Sequence, residues 1–247
     1  MPSINLKTEQ AVIIRAGHGT LVFTTPEGEG GMTQHQYAVK SGMSLAANLR
    51  TAFKEEVYLA EHGPKAVLKV VSPVLLIPSR EYCAVEEYDV EGVYGNTVTG
   101  HKGEVKVVTE IPEFDVHAIF PVNSDLQMVV GDHFSIMSTQ NVMVDVWRHL
   151  YKNYYSNSGQ RKLFAYFHDK QMDICAFEQN RIRFANAFDI NDRHDALYYL
   201  LFVWKQLGMN QNEDMLYFAG ETQHMEWLKE KTAAYVSNIT VIEETCE

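Results

Sequence analysis

The chain of 247 residues is long enough for one large domain or two modest ones, and at this length it does not need disulfide bonds for stability. Its formal net charge of −11 argues against binding to nucleic acid, because affinity for a phosphate backbone comes from clustered Lys and Arg. The three cysteines, Cys83, Cys175 and Cys246, show no C-x-x-C spacing, so reduced thiols are predicted in place of a zinc knuckle or a disulfide framework.

The first seven residues, Met1 to Lys7, lack the basic segment followed by an apolar core that marks an export signal. No later run approaches the roughly 18 apolar residues that a membrane span requires. We therefore expect a cytoplasmic protein without a membrane span.

Three strands, a helix and a fourth strand are predicted in the first third of the chain. The strands are expected at residues 11–15, 20–25, 35–40 and 66–71. The apolar residues of the helix recur along one face, which comprises Leu45, Leu49, Ala52, Phe53, Val57 and Ala60. Gly63 followed by Pro64 predicts the end of this helix, because glycine favours the position just past a helix and proline cannot continue it.

A stretch of different character, residues 79–113, follows the first set of elements. It is rich in Glu, Gly, Tyr and Val, and it is interpreted as an inserted subdomain or an excursion of extended strands. The elements predicted next are a strand at 116–122 and helices at 124–133 and 140–154. The polar turn at 156–159 then separates a first lobe, residues 1–158, from a second lobe, residues 159–247.

The last third repeats the order of elements found in the first. Strands are predicted at 163–167, 171–177, 181–188, 215–219 and 239–243, and a helix is predicted at 223–236. Another helix begins at the candidate N-cap Asp192, with Asp195 three residues on, and ends before Gly208. Apolar residues surround this helix almost completely, so it is predicted to be buried on several sides. Its aromatic residues are accordingly assigned to the core: Tyr198, Tyr199, Phe202 and Trp204.

The order β-β-β-α-β therefore occurs twice, which predicts an α/β protein built by duplication. With this order the chain resembles the actin-like ATPase superfamily, and the residues that carry the resemblance are 72–78, 114–121, 186–188, 195–199 and 206–207. It is similar in particular to an uncharacterised family known mainly from Bacteroidetes, and more distantly to actin-like proteins of pilus assembly and type II secretion. The resemblance implies a duplicated, ribonuclease-H-like fold with two lobes, each with a mixed sheet begun by a three-stranded antiparallel meander.

Two kinds of metal-dependent chemistry find no support in the residues. Ribonuclease-H-like nucleases need acidic residues on the first strand, and neither 11–15 nor 163–167 contains a carboxylate. The ten histidines form no H-x-x-x-H or H-E-x-x-H pattern. We therefore predict no metal site and name no catalytic residue.

The resemblance also implies where a nucleotide would bind. Actin-like ATPases hold ATP with Mg²⁺ between their halves, and the first turn of each half approaches the phosphates, usually with an Asp-x-Gly arrangement. Here the first turn contains Arg15, Gly17, His18, Gly19 and Thr20, and Arg15 stands where the acid is expected. A cation cannot replace a carboxylate that holds the water ligands of Mg²⁺.

The other two positions of the implied nucleotide site are altered as well. The second turn offers Asp169 and Lys170 without a glycine, and the adenosine contact corresponds to Gly220, Glu221 and Thr222 with one glycine of the usual pair. Each of these segments also has a simpler interpretation as a solvated hairpin tip or a strand-to-helix turn.

Two functions follow from these altered motifs. The first is a degenerate, non-catalytic scaffold that binds a protein partner, with the segment 79–113 as the candidate surface because Val85, Tyr88, Val90, Val93 and Tyr94 stand there among acids. The alternative is a divergent ATPase or nucleotide-dependent switch that binds ATP and Mg²⁺ between the lobes.

Overall fold

A computed structural model of the chain describes residues 11–17, 19–27, 31–60, 63–155, 160–168, 170–179 and 181–243. The chain divides into two compact units. The first comprises Met1–Leu75, Asp89–Thr109 and Ile119–Val142, and the second comprises Leu76–Tyr88, Glu110–Ala118 and Met143–Glu247. Each unit contains its own five-stranded sheet. The predicted boundary at residue 158 between two lobes stays a prediction.

The sheet of the first unit begins with the predicted antiparallel meander. Its strands are β1 (Val12–Ala16), β2 (Leu21–Pro26), β3 (Met32–Tyr37), β4 (Lys65–Val70) and β8 (Ile136–Asn141), in the order β3-β2-β1-β4-β8. The strands β1, β4 and β8 run parallel. The register aligns Ile14 with Phe23 and Leu68, and all three side chains are fully buried in one core.

A helix and a single helical turn cover the buried face of this sheet. The first, α1 (Leu45–Glu55), begins after Ser44, whose hydroxyl accepts a hydrogen bond from the Ala47 amide. The helix predicted to run to Ala60 is interrupted at Glu56, which is extended, and continues as the single turn α2 (Val57–Ala60). Only the backbone of Val57 and Ala60 is described, so their place on the predicted apolar face lies outside the described residues.

The segment that connects β4 to the next part of the fold contains one more sheet. Its strands are β5 (Leu75–Pro78), β6 (Val105–Ile111) and β7 (Val116–Val122), in the order β5-β7-β6. The prediction of extended strands over residues 79–113 is wrong in part, because α3 (Ser79–Tyr82) and α4 (Val90–Thr97) occupy much of it. Asp89 caps α4 by accepting a hydrogen bond from the Gly92 amide, which is the local reason for a helix there.

Two helices follow β7, which has the bounds that the sequence predicts. They are α5 (Ser124–Gly131) and α6 (Val142–Tyr154), and β8 lies between them. The sequence analysis did not predict β8, since its sequence Ile-Met-Ser-Thr-Gln-Asn has no alternation of apolar and polar residues. As an edge strand it does not need one.

The sheet of the second unit repeats the topology of the first, which confirms the duplication. Its strands are β9 (Lys162–His168), β10 (Gln171–Glu178), β11 (Arg181–Asp189), β12 (Met215–Gly220) and β13 (Asn238–Val241), in the order β11-β10-β9-β12-β13. The first three strands form an antiparallel meander, and β9, β12 and β13 run parallel.

The long helix of the second unit, α7 (Arg193–Gln206), corrects one prediction. Asp192 and Asp195 form the expected capping box, and Gly208 has the expected left-handed conformation with φ +61°. The helix is not buried on all sides, however: Tyr198 is 63% exposed and Phe202 is 46% exposed. The prediction that all four aromatic residues belong to the core is therefore wrong for these two. A shorter helix, α8 (Met225–Thr232), packs beside α7.

Candidate functional site

The first candidate turn, between β1 and β2, is tight. The Gly17 amide donates a hydrogen bond to the Thr20 carbonyl over 3.0 Å, and Gly19 has φ +74°. Nothing lies within 4 Å of the place where a Cβ of Gly19 would stand. The left-handed backbone is thus sufficient reason for glycine at this position, without a phosphate. His18 lies outside the described residues.

Arg15 lies in β1, two residues before Gly17, in the position where the sequence comparison expects an acid. Its register partner on β4 is Lys69. The neighbours of Arg15 along β1, Ile14 and Ala16, point into the core, so Arg15 and Lys69 share the opposite face of the sheet. Two cations therefore occupy adjacent strands here. At residue 15 the strand therefore carries a guanidinium in place of the expected carboxylate.

A cleft of about 270 Å³ lies in the first unit at the carboxyl ends of its parallel strands. Two helix N-termini contribute to it. Asn123 accepts hydrogen bonds from the amides of Asp125 and Leu126 over 2.9 and 3.2 Å, as Ser44 does from α1, so these caps already bind part of the first-turn amides. Of the predicted residues of the first turn, Gly17 lines the cleft.

A hydrogen-bonded His–Glu pair that the sequence pattern does not reveal forms one wall of this cleft. His101 and Glu104 lie 2.6 Å apart between Nδ1 and Oε2, and both are partly buried. The buried Lys106 holds their loop, because its ammonium donates to the carbonyl oxygens of His101 and Glu104 over 3.1 and 2.7 Å. The only sequence signal is the spacing Gly-His-Lys-Gly-Glu, with Gly100 and Gly103 both at positive φ.

The second candidate turn, between β9 and β10, has only two residues. His168 pairs with Gln171, which leaves 169 and 170 to connect the strands. Lys170 has φ +65°, and Asp169 lies outside the described residues. A two-residue hairpin without glycine offers no run of backbone amides that could surround a phosphate.

The third candidate segment starts at Gly220, at the end of β12. Gly220 has φ +77°, and a Cβ on it would lie under 3.0 Å from the Phe167 carbonyl oxygen. The same oxygen accepts a hydrogen bond from the Glu221 amide over 3.1 Å. This glycine is therefore explained by the close approach of two strands, whether or not a ligand binds. Thr222 accepts a weak hydrogen bond from the His224 amide.

The second unit has a cleft of about 330 Å³ that brings Lys170, Glu221 and Thr222 together. Its remaining walls include His168, Asp192 and His224. His168 Nε2 lies 2.6 Å from Asp173 Oδ2, and both side chains are almost fully buried. The hydrogen bond from the His194 amide, assisted by the His194 side chain, holds the pKa of Asp192 below its usual value.

No group of three or more His, Cys, Asp or Glu side chains in the described part of the chain is arranged to hold a metal ion. The clefts can offer hydrogen bonds and a His–carboxylate pair as proton carriers. Among the described residues, the carboxylates that line the clefts, such as Glu104 and Asp192, do not gather into a group that could hold a metal ion. Nucleotide binding by the predicted residues stays a prediction.

Comparison with known proteins identifies the family. The profile of DUF3822, described as a protein of unknown function, matches residues 3–239. The chain belongs to the DUF3822 family. No curated protein matches this DUF3822 chain.

Solved structures show which fold this DUF3822 protein has. A Bacteroides thetaiotaomicron protein, described as having an actin-like ATPase fold and unknown function, is similar with a TM-score of 0.83 and 20% identity. The match covers 98% of this chain and 94% of that one. A structure of the PilM–PilN type IV pilus biogenesis complex matches with a TM-score of 0.59 and 8% identity, over 94% of this chain and 88% of that one. The chain therefore has the actin-like ATPase fold.

Two further properties of the DUF3822 chain bear on its setting. Cys83 and Cys175 are free thiols, and Cys246 lies outside the described residues. None of the helices in the described residues combines the length and the apolar character that a membrane span requires.

Proposed function

We propose that this DUF3822 protein is a non-catalytic, cytoplasmic member of the actin-like fold that acts by binding another protein. One observation carries the proposal: the turn between β9 and β10 is a two-residue hairpin without glycine. ATP turnover on this fold requires that a turn in each half surround the phosphates. The turn between β9 and β10 in the second half is too short to do so.

The first unit supports the same conclusion through charge. The transferred phosphoryl group and its Mg²⁺ need carboxylates that hold the metal. Arg15 and its neighbour Lys69 instead place two cations on one face of the sheet. Neither of these two side chains is a ligand for Mg²⁺.

A protein partner is supported by what this fold accommodates elsewhere and by one exposed segment. PilM, a structural neighbour, was solved in complex with PilN. In this chain residues 83–87, between α3 and α4, are all exposed, and Val85 is 52% exposed beside Glu86 and Glu87. Tyr94 is fully buried and cannot contribute to such a surface. We propose the turn 83–87 as the contact for a partner with a basic rim.

Thermal melting with and without millimolar Mg²⁺-ATP tests the loss of nucleotide function. A ligand at 100 times its dissociation constant adds about 2.7 kcal/mol of stability, which for a chain of this length raises Tm by roughly 5–10 °C. We expect no change, and calorimetry should detect no binding heat. A Tm rise of that size overturns the proposal.

The alternative is a nucleotide-dependent switch, and the gathering of Lys170, Glu221 and Thr222 in one cleft favours it. In this alternative Gly17, Gly19, Thr20 and Gly220 also approach ATP, and Mg²⁺ accompanies it. Arg15→Ala would then weaken ATP binding, whereas Arg50→Ala, an exposed arginine on α1, would not. Equal ATP affinity of both variants removes Arg15 from the site.

A pull-down from native lysate tests the partner surface. Val85→Glu adds a charge at the centre of the turn 83–87, and we expect it to lose a partner that the unchanged chain retains. Met128→Glu is the matched control, because Met128 on α5 is 56% exposed and lies outside the turn. Recovery of the same partner by Val85→Glu and Met128→Glu dismisses this surface.

A further inference from the structure

The outward face of α7 carries two exposed aromatic rings. The rings of Tyr198 and Phe202 lie 6.1 Å apart with an interplanar angle of 18°. The opposite face is buried in the core of the second unit through Leu200, Val203 and Trp204. A free helix does not need aromatic residues on its solvent face, and exposed aromatic pairs are typical of contact surfaces.

We propose that α7 pairs antiparallel with α7 of a second copy of the chain, about a two-fold axis that passes beside Leu200. Successive residues of a helix are 100° apart, so residues equally far before and after Leu200 lie at mirrored angles about the exposed side of α7, which is opposite the buried Leu200. A two-fold axis there places residue n of one copy level with residue 400 − n of the other. Tyr198 of each copy then packs on Phe202 of the other, so the contact occurs twice in the dimer.

The charges beside the two rings fit the same pairing. Asp195 and Lys205 flank the aromatic pair on opposite sides, and the two-fold axis sets Lys205 of each copy against Asp195 of the other. Asp195 uses Oδ2 for the amides of Asn191 and Asp192, which leaves Oδ1 to accept the ammonium. Lys205 is exposed and forms no ion pair with any residue in the described ranges.

Thus the four positions nearest the centre of the exposed stripe, 195, 198, 202 and 205, are complementary to themselves in the antiparallel direction. An isologous interface requires this property, and a surface evolved for an unrelated partner does not.

The area predicts a weak, reversible dimer. A large aromatic side chain covers about 200 Å², so the exposed parts of Tyr198 and Phe202 supply roughly 200 Å² per copy. A stable interface buries about 800 Å² per partner. The net charge of −11 on each copy also opposes association at low ionic strength. Dimerisation should therefore require high protein concentration and moderate salt.

Sedimentation equilibrium of the full chain, up to millimolar concentration, measures this association. Lys205→Glu turns two ion pairs into two like-charge pairs, and we expect it to raise the dimer dissociation constant about tenfold. Lys229→Glu is the matched control, because it changes the net charge equally and lies on the exposed side of α8. A chain that stays monomeric overturns the proposal, and so does a dimer that both variants weaken equally.

Disulfide trapping tests the direction of pairing in a background with Cys83→Ser and Cys246→Ser. A mixture of the Tyr198→Cys and Phe202→Cys chains should cross-link to the mixed dimer faster than either chain cross-links to itself, because 198 faces 202 across the axis. Faster self-linking of Phe202→Cys contradicts the antiparallel register. A complex of α7 with a different protein, formed in place of the dimer, also contradicts it.

Discussion

Replacing Gly220 by alanine tests whether this glycine is present for the fold. The added methyl group would lie under 3.0 Å from the Phe167 carbonyl oxygen and 3.0 Å from its amide nitrogen. Both atoms belong to the backbone of β9, the central strand of the sheet, so neither can turn away as a side chain would. Gly208 supplies the control, since it also has positive φ but has nothing within 4 Å of its Cβ position.

The two substitutions separate the contact from the conformation. An alanine in the left-handed region costs about 1–2 kcal/mol, and this applies to both positions. At Gly220 the overlap with β9 adds about 1–3 kcal/mol, and weakening of the bond from the Glu221 amide to Phe167 adds about 1 kcal/mol. We expect Gly220→Ala to destabilise the protein by about 3–6 kcal/mol and Gly208→Ala by about 1–2 kcal/mol.

Urea unfolding followed by tryptophan fluorescence measures this difference. All three tryptophans, Trp147, Trp204 and Trp227, lie in the second unit, which also contains Gly220. In thermal melting the same gap of at least about 2 kcal/mol corresponds to roughly 4–8 °C in Tm. Equal losses for the two variants would refute the argument, because the strand contact would then contribute nothing beyond the backbone conformation.

Two other substitutions test a buried phenol and a helix cap through their dependence on pH. Tyr94→Phe removes the hydrogen bond to the Pro73 carbonyl (2.9 Å) and should cost about 1 kcal/mol at neutral pH. Burial raises the pKa of the Tyr94 phenol, so its contribution holds below pH 10 and is lost above it, and urea midpoints of the two proteins should converge there; a constant gap contradicts this. Asp192→Ala removes the α7 cap and should lower stability at pH 7. Because the pKa of Asp192 lies below its usual 3.8, that difference should disappear only as the pH falls below this value, and a loss already near pH 6 would assign it to another group.

The periodic pattern of apolar residues in the sequence made most of the fold predictable. The two meanders, β7 and the capping box of α7 follow from apolar patterns and from residues adjacent in sequence, as at Asp192 and Asp195. The break at Glu56 and the strand β8 do not. A strand at a sheet edge needs no apolar alternation, and the end of α1 at Glu56 has no glycine or proline beside it that would signal a break.

The candidate site was less accessible to sequence reasoning, because its properties depend on contacts between distant residues. Gly220 is explained by Phe167, 53 positions earlier in the chain. Lys106 positions the pair His101–Glu104, because its ammonium donates hydrogen bonds to the carbonyl oxygens of both residues. The exposure of Tyr198 and Phe202 could not be predicted from the sequence. A helix with apolar residues on every side gives no indication of which side lacks a packing neighbour.

The glycines and the acids of the expected nucleotide motifs therefore carry unequal weight. Gly19 and Gly220 have positive φ, and Gly220 also meets the backbone of β9, so the fold accounts for both without any ligand. No such structural reason requires a carboxylate at residue 15, where Arg15 lies beside Lys69. The retained glycines are therefore weak evidence for ATP binding, whereas a carboxylate at residue 15 would have been strong evidence for it. The arginine at that position is the reason why we propose protein binding, by the turn 83–87 or by α7, in place of ATP hydrolysis.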